Sequence, residues 1–306
     1  MKKNRIGIIA EYNPFHNGHL LQINWIKEHF PNDEIIVILT DVFTQRGDLN
    51  LLTFEQRKEI LKKYGINEII KMSFEESVQA AHIYAKNAIL KLNDYQINKL
   101  VFGSETADVT NMLKNAKILK EKGQEFFQEV KKVMKKEKTS YPKAMNLVYS
   151  NWNLKRFDSP NDILAYEYIK VIVNFVLNIE PIAIKREVNY FDLEPKDNIA
   201  SATYLRTLIK NGDDISLYSP IKNKIKYRDL SVYFQDFKQI LKSIELEKIK
   251  TIPLISEGIE NLLLKNLDAL TFEDFIERCT SKRYTSTRIK RIIAWVIYKF
   301  KLMNWK

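Results

Sequence analysis

The chain has 306 residues, 45% of them hydrophobic and 28% charged, a balance that excludes a disordered or collagen-like polymer and fits one elaborated domain or two modest ones. Its 49 Lys and Arg against 38 Asp and Glu leave a net charge of +11, so polyanions are candidate partners, with a lysine-rich but evenly spread surface as the plain alternative. The lone Cys279 excludes an internal disulfide and a cysteine-rich zinc site, and no apolar run approaches the roughly 18 residues of a membrane span, so a cytoplasmic protein with no membrane partner is expected.

Up to residue 105 one rhythm repeats: a short Ile- and Val-rich run, a turn, then a helix-period segment. Candidate strands are Arg5 to Ala10, Glu34 to Thr40, Glu68 to Met72 and Lys99 to Phe102, apolar along most of their length as in a parallel sheet covered on both faces. Between them, Gly18 to Phe30 sets Leu20, Ile23, Ile26 and Phe30 at helical spacing. Thr53 and Gln56 form a capping box before Ile60 and Leu61, with Gly65 as the stop, and Gln79 to Leu92 is a further amphipathic helix. Beyond Glu105 the helices Val109 to Lys120, Gln124 to Lys136 and Tyr141 to Ser150 read as an insertion over about residues 106–158. Asp162 to Leu177 then serves as a crossover helix to a fifth strand, Pro181 to Arg186, followed by a helix from Ala202 to Lys210 that stops at Asn211-Gly212. From Leu217 only helices are expected, near Leu230 to Ser243, Leu254 to Asn266, Phe272 to Cys279 and Thr285 to Lys301. The expected fold is therefore α/β: a Rossmann-like parallel sheet over residues 1–214 carrying the helical insertion, and an all-helical C-terminal module over residues 215–306.

Two of the four histidines fall in His16-Asn17-Gly18-His19, directly after the first strand and at the start of the first helix. Ligands of open α/β sheets sit at the carboxyl ends of strands, and a helix N-terminus suits a phosphate. Three-residue spacing puts both imidazoles on one side, where their N–H groups can stabilise charge developing on one α-phosphate; His16 and His19 are the candidate catalytic pair. A helix-capping role and a zinc site are the competing readings, the latter lacking a third ligand nearby. His29 and His82 have no such context and are expected on helix surfaces. A second cluster, Ile199-Ala200-Ser201-Ala202-Thr203-Tyr204-Leu205-Arg206, opens another helix after the fifth strand. There Ser201, Thr203 and Arg206 would cradle β- and γ-phosphates, against the simpler reading of a serine N-cap with a surface arginine.

His16-Asn17-Gly18-His19 resembles the HxGH signature of the nucleotidyltransferase superfamily, and Ser201 to Arg206 its SSTxIR-type second motif. The longer string Gly7-Ile8-Ile9-Ala10-Glu11-Tyr12-Asn13-Pro14-Phe15-His16-Asn17-Gly18-His19-Leu20 is similar to one family within it, the tRNA(Met) cytidine acetate ligases. Further matches follow in order: Gln45-Arg46-Gly47, Val78-Gln79, Phe102-Gly103-Ser104-Glu105, Ser140-Tyr141-Pro142, Ser159 to Leu164, Ile184-Lys185-Arg186 and Tyr284 to Ile289. Thr40-Asp41-Val42 and Lys71-Met72-Ser73 depart from the family pattern. The resemblance implies an enzyme that activates acetate with ATP, assisted by Mg2+, and transfers the acetyl group to N4 of the wobble cytidine of elongator tRNA(Met). It also implies nucleotide contacts at Gly7 through Leu20, Gly103, Asn161 and Arg186. No protein partner and no metal ligand set is implied.

Two basic clusters bear on RNA. Lys131, Lys132, Lys135, Lys136 and Lys138 end one helix, where the helix dipole alone explains lysines. Lys282, Arg283, Arg288, Lys290 and Arg291, interleaved with Tyr284 and hydroxyls, resemble a phosphate-backbone contact; Lys282, Arg283, Arg288 and Arg291 are the candidate tRNA-binding residues. Trp295 and Trp305 are expected in the core. Two other functions stay open at this point: a small-molecule adenylyltransferase, which would need no basic helical tail, and an RNA-binding homologue without turnover.

Overall fold

Isoleucine- and valine-rich runs become five parallel strands: β1 (Arg5–Ala10), β2 (Glu34–Thr40), β3 (Glu68–Met72), β4 (Lys99–Ser104) and β5 (Glu180–Lys185), in the order β3-β2-β1-β4-β5. A computed structural model of the chain describes residues 4–186 and 194–302; Trp305 lies outside them. Helices α1 (Asn17–His29), α2 (Phe54–Lys63), α3 (Phe74–Ser77) and α4 (Ala81–Asp94) connect the first four strands, and α7 (Pro160–Asn174) leads into β5. Two apolar clusters flank the sheet: Ile6, Ile8, Ile23, Ile26, Val37 and Leu61 on one side, Ile36, Ile38, Ile89, Leu92, Leu100 and Ile169 on the other. A side chain on Gly7 would meet Ile97 and Leu92 at 2.7 and 2.9 Å, so the glycine is there to let α4 and the strand β4 close on β1.

The chain leaves β1 in one direction to build β2 and β3 and in the other to build β4 and β5, so the switch point lies between β1 and β4. These two strands pair only at Ile6–Lys99 and Gly7–Leu100 and then part toward their carboxyl ends. The Gln22 amide occupies part of the gap, donating to the Val101 carbonyl at 3.2 Å. On the β2 side the opposite happens. Arg57, 1% exposed, donates its guanidinium N–H groups to the carbonyls of Glu11, Thr40, Asp41 and Thr53, tying the exits of β1 and β2 to the start of α2.

Between β4 and α7, α5 (Val109–Lys136) and α6 (Tyr141–Asn151) form the insertion, held by Phe126, Val130, Ala144 and Val148. The two helices expected here are the two halves of α5, separated by a break at Lys122, whose backbone (φ −122°, ψ 21°) is not helical. Gly123 beside the break weakens a helix by about 1 kcal/mol, and the second half resumes to bury Phe126 and Val130. The lysines at its end are exposed.

After α8 (Ala202–Asn211) come a 3₁₀ turn at Leu230–Tyr233, α9 (Phe234–Ser243), α10 (Leu246–Lys250), α11 (Ile259–Lys265), α12 (Phe272–Cys279) and α13 (Ser286–Ile297), ending in a π turn at Tyr298–Leu302. The helix expected from Leu254 starts only at Ile259, because Leu254, Glu257 and Gly258 all take positive φ and form a turn. The core of this helical layer takes in Phe43, Leu49, Phe74 and Val78 from the sheet half. Phe74 stacks on Tyr298, and the buried Trp295 donates its indole N–H to the Val78 carbonyl at 2.9 Å, a core role as expected. Among the described residues no helix is long and apolar enough to cross a membrane.

Candidate active site

At the switch point the loop from β1 to α1 is fixed from both sides. The Asn13 amide donates to Leu49 O (3.1 Å) and accepts from Leu51 N–H (2.8 Å), clamping the segment after β2. Asn17 donates from its backbone to Tyr218 O and from its side chain to Asn198 O and Leu217 O, while the Ser219 hydroxyl donates to Phe15 O at 2.7 Å. Tyr12 is held at φ +51°, a left-handed value that a tyrosine adopts only under such constraint.

This loop presents the two histidines as one unit. His16 caps α1: its Nδ1 accepts the Gly18 N–H at 3.1 Å, and His19 Nδ1 accepts the His16 N–H at 3.3 Å. The rings stack with centroids 3.6 Å apart, and Tyr12 packs its edge on His19. A backbone N–H can only donate, so both Nδ1 atoms are acceptors and both protons sit on Nε2. Burial, with Arg186 and Arg206 nearby, holds the His16 pKa down to about 3, and burial with His16 and Arg186 holds His19 well below the usual imidazole range. The pair is therefore neutral at physiological pH, with two fixed Nε2–H donors. The capping and catalytic readings of His16 turn out to be compatible, since capping uses one nitrogen and leaves the other.

Two adjoining cavities, of about 170 and 340 Å³, share His16, His19, Gln22, Gly103 and Arg186. The first also meets Ile9, Ala10, Glu11, Tyr12, Asn13, Asn161 and Arg206, together with Gln45, Arg46, Tyr84 and Tyr168. The second, more apolar, adds Gly18, Trp25, Ile184, Ile199 and Ala200. Arg206 reaches across from α8 to donate to Asn13 O (2.9 Å) and to Thr203 Oγ1 (2.9 Å). The Asn161 amide donates to Glu105 at 2.7 Å, and Glu105 also receives the Asp162 N–H. Glu105, just after β4, thus caps the start of α7. Glu11 accepts the Gln45 N–H at 2.7 Å, and burial raises its pKa.

The structure places the expected site residues unevenly. Gly7, Ile8, Pro14, Phe15, Asn17 and Leu20 line neither cavity: Ile8 and Phe15 are core, and Asn17 holds the loop. Ser201 is the N-cap of α8, accepting Tyr204 N–H, and Thr203 orients Arg206, so neither hydroxyl faces the cavities. The amides at the start of α1 are not open to a phosphate either, since Asn17, Gly18 and His19 N–H donate to Tyr218 O, His16 Nδ1 and His16 O. Of the basic cluster, Lys282 and Arg283 are exposed, but Arg288 turns inward to Leu254 O, Ser256 and Glu257 and pins the turn before α11. Arg291 is half-buried. His29 and His82 are exposed as expected. What the sequence did not signal is the wrap of residues 217–219 over the loop and the wall made by Gln22, Tyr84 and Tyr168; in one chain these read as ordinary helix residues.

A parallel sheet with an HxGH pair at its switch point and an arginine reaching over from a second motif defines a nucleotidyltransferase, and the chain matches the model of the HIGH Nucleotidyl Transferase family over residues 3–306. It is 43% identical over 297 residues to the tRNA(Met) cytidine acetate ligase of Mycoplasma mobile (97% of this chain, 99% of that one) and 42% identical over 303 residues to that of Mycoplasmopsis synoviae (98% of each). Its fold superposes on the crystal structure of Thermotoga maritima TmcAL bound with alpha-thio ATP with a TM-score of 0.84, at 24% identity, covering 97% of this chain and 75% of that one. The chain belongs to the tRNA(Met) cytidine acetate ligase family.

Proposed function

We propose that the chain binds ATP across the crevice, adenylylates acetate, and passes the acetyl group to N4 of the wobble cytidine of elongator tRNA(Met), acting in the cytoplasm. In the first step an acetate oxygen attacks the α-phosphorus and the bond to the β-phosphate breaks, releasing pyrophosphate. In the second, the N4 lone pair attacks the acetyl carbon, AMP leaves, and N4 loses a proton. The observation that carries this reading is the fixed pair of neutral imidazoles: two Nε2–H donors, preorganised by backbone bonds to their Nδ1 atoms, meet charge that grows on the α-phosphate without having to reorient. Arg206 and Arg186, in the cavity walls, suit the remaining phosphates. Among the described residues no group of three His, Cys, Asp or Glu could hold a metal, and Glu11 is the one carboxylate in the wall of the first cavity. Magnesium therefore fits as the companion of ATP's own phosphates, where it would neutralise their charge. Acetate-dependent exchange of labelled pyrophosphate into ATP, measured without tRNA, tests the first step. Exchange that proceeds equally without acetate would overturn it.

A further inference from the structure

Helix α13 approaches the active-site wall at one glycine. Gly47, at φ +88°, closes the turn that carries Gln45 and Arg46, and a side chain on it would lie 2.8 and 2.9 Å from the backbone N and Cα of Arg291. The Arg291 side chain thus stands beside the turn whose preceding residue, Arg46, lines the first cavity. Its surroundings are unusual for a half-buried cation. Its Nε is buried without a hydrogen-bond partner, and no ion pair to it occurs among the described residues. The nearby acids are taken: Asp48 pairs with Lys290 at 2.9 Å, and Glu257 with Arg288 at 3.2 Å. The charges that act on Arg291 are those of Arg288 and Arg46, both repulsive. A half-buried cation beside two like charges, with an orphaned Nε–H and no acid of its own, is a place where an anionic ligand can supply the missing partner.

We propose that Arg291, together with Arg46, forms a phosphate-binding point at the mouth of the catalytic cavity, and that it takes a backbone phosphate of the RNA next to the acceptor cytidine. The inference rests on the proposed tRNA acetylation and adds the place where the strand is held. Arg291 lines neither nucleotide cavity and sits on the helical layer, so its anion is outside the crevice that takes ATP. A polynucleotide that delivers one base to the cavity must carry its flanking phosphates across this rim. A guanidinium with open N–H groups is suited to such a phosphate. Of the four basic residues singled out in the sequence, this leaves Arg291 as the one placed to read the substrate near the reacting base. Arg288 positions the turn at Leu254, and Lys282 and Arg283 stand in solvent.

The test uses the full chain, elongator tRNA(Met) transcript and Arg291→Gln, with three readouts: tRNA acetylation across a salt series, acetate-dependent pyrophosphate exchange without tRNA, and thermal midpoint. The expected result is a loss of about tenfold or more in kcat/KM for tRNA, as for one charge-assisted hydrogen bond. The log–log salt slope should fall by about 0.7 to 0.9, one phosphate's worth. Exchange should keep its KM for ATP and for pyrophosphate, and the midpoint should rise as the unpaired charge is removed. A parallel rise in KM for ATP or pyrophosphate would assign the anion to the nucleotide and overturn the proposal, as would an unchanged salt slope. Arg291→Lys, which keeps the charge, should retain the wild-type slope even if the glutamine variant folds poorly; a lysine variant with the reduced slope also overturns it. Failure of the wild-type protein to exchange pyrophosphate with acetate would count against the parent reading instead.

Discussion

The loop from β1 to α1 and the first turns of α13 are both polar, both at helix starts, and both candidates from sequence, yet they use their polar groups in opposite ways. In the loop the amides of His16, Asn17, Gly18 and His19 and one nitrogen of each imidazole are bonded inside the protein, which leaves the two Nε2–H groups in the cavity wall as oriented donors. On α13 the cations are mostly spent on the protein itself, Arg288 on a turn and Lys290 on Asp48. Fixed spacing next to a strand end thus determines where the two donors stand, whereas a count of positive charges does not tell which cations are already paired. A cation's role depends on whether an acceptor already waits for it inside the fold.

The largest test of this contrast is His19→Ala, expected to lower acetate-dependent pyrophosphate exchange by about 10² to 10³ by removing one transition-state donor. Near-normal exchange would mean that the stacked pair is structural. Because His19 also packs on His16 and Tyr12, the variant's far-UV circular dichroism and thermal midpoint must accompany the rate. Next, Gly47→Ala adds a methyl at positive φ against the backbone of α13, and we expect it to destabilise by about 2 to 4 kcal/mol in urea unfolding. A neutral outcome would show that the two halves are not tightly seated on each other.

The histidines also set a pH dependence whose sign is fixed. Above pH 6.5 they are neutral in both folded and unfolded chains and contribute nothing. As pH falls below 6.5 the unfolded state takes up protons that the folded state refuses until about pH 3 for His16 and well below 6.5 for His19, so stability falls with acidification. Glu11, with its raised pKa, works the other way from pH 4.5 upward, one group against two. Replacing both histidines with glutamine should flatten the decline between pH 6.5 and 5 in a urea series. A wild-type curve that is already flat would show imidazoles titrating as in a free peptide. Smaller still, Ser201→Ala should remove about 1 kcal/mol of stability as a lost N-cap, with the KM for ATP nearly unchanged. Arg283→Gln, at an exposed side chain, should stay within about 0.5 kcal/mol in stability.

Three strands, Arg5–Ala10, Glu34–Thr40 and Glu68–Met72, and the helix Phe272–Cys279 match their sequence expectations end to end. Each is a dense apolar run or an amphipathic turn bounded by polar residues, so local pattern and tertiary need agree. The short α3 and α10 were missed because four or five residues hold too few apolar positions to show a period. In the site, the histidine pair was legible from spacing and strand context. The fixing of their tautomers was not, since it depends on which backbone N–H meets which ring nitrogen. The Ser219 hydroxyl on Phe15 O joins residues 204 apart in the chain, a pairing no local signal announces. Arg288 illustrates the same limit from the other side: its inward direction is set by the left-handed turn at Leu254, which the apolar spacing there had disguised as helix.

The guanidinium of Arg57 has a consequence for how the crevice can change width. One planar group joins four carbonyls from the ends of β1 and β2 and the start of α2. Burial brings its pKa down to about 10, still far above neutrality, so the group remains a cation with four of its five N–H groups committed. That wall of the crevice behaves as a single stiff plate, its geometry dictated by one side chain. An ammonium carries the same charge as a compact point and lacks the flat, forked shape needed to span such separated acceptors. The two sides of the crevice are therefore unlike: the exits of β1 and β2 are held to one spacing by a single side chain, whereas β1 and β4 part with no such tie among the described residues.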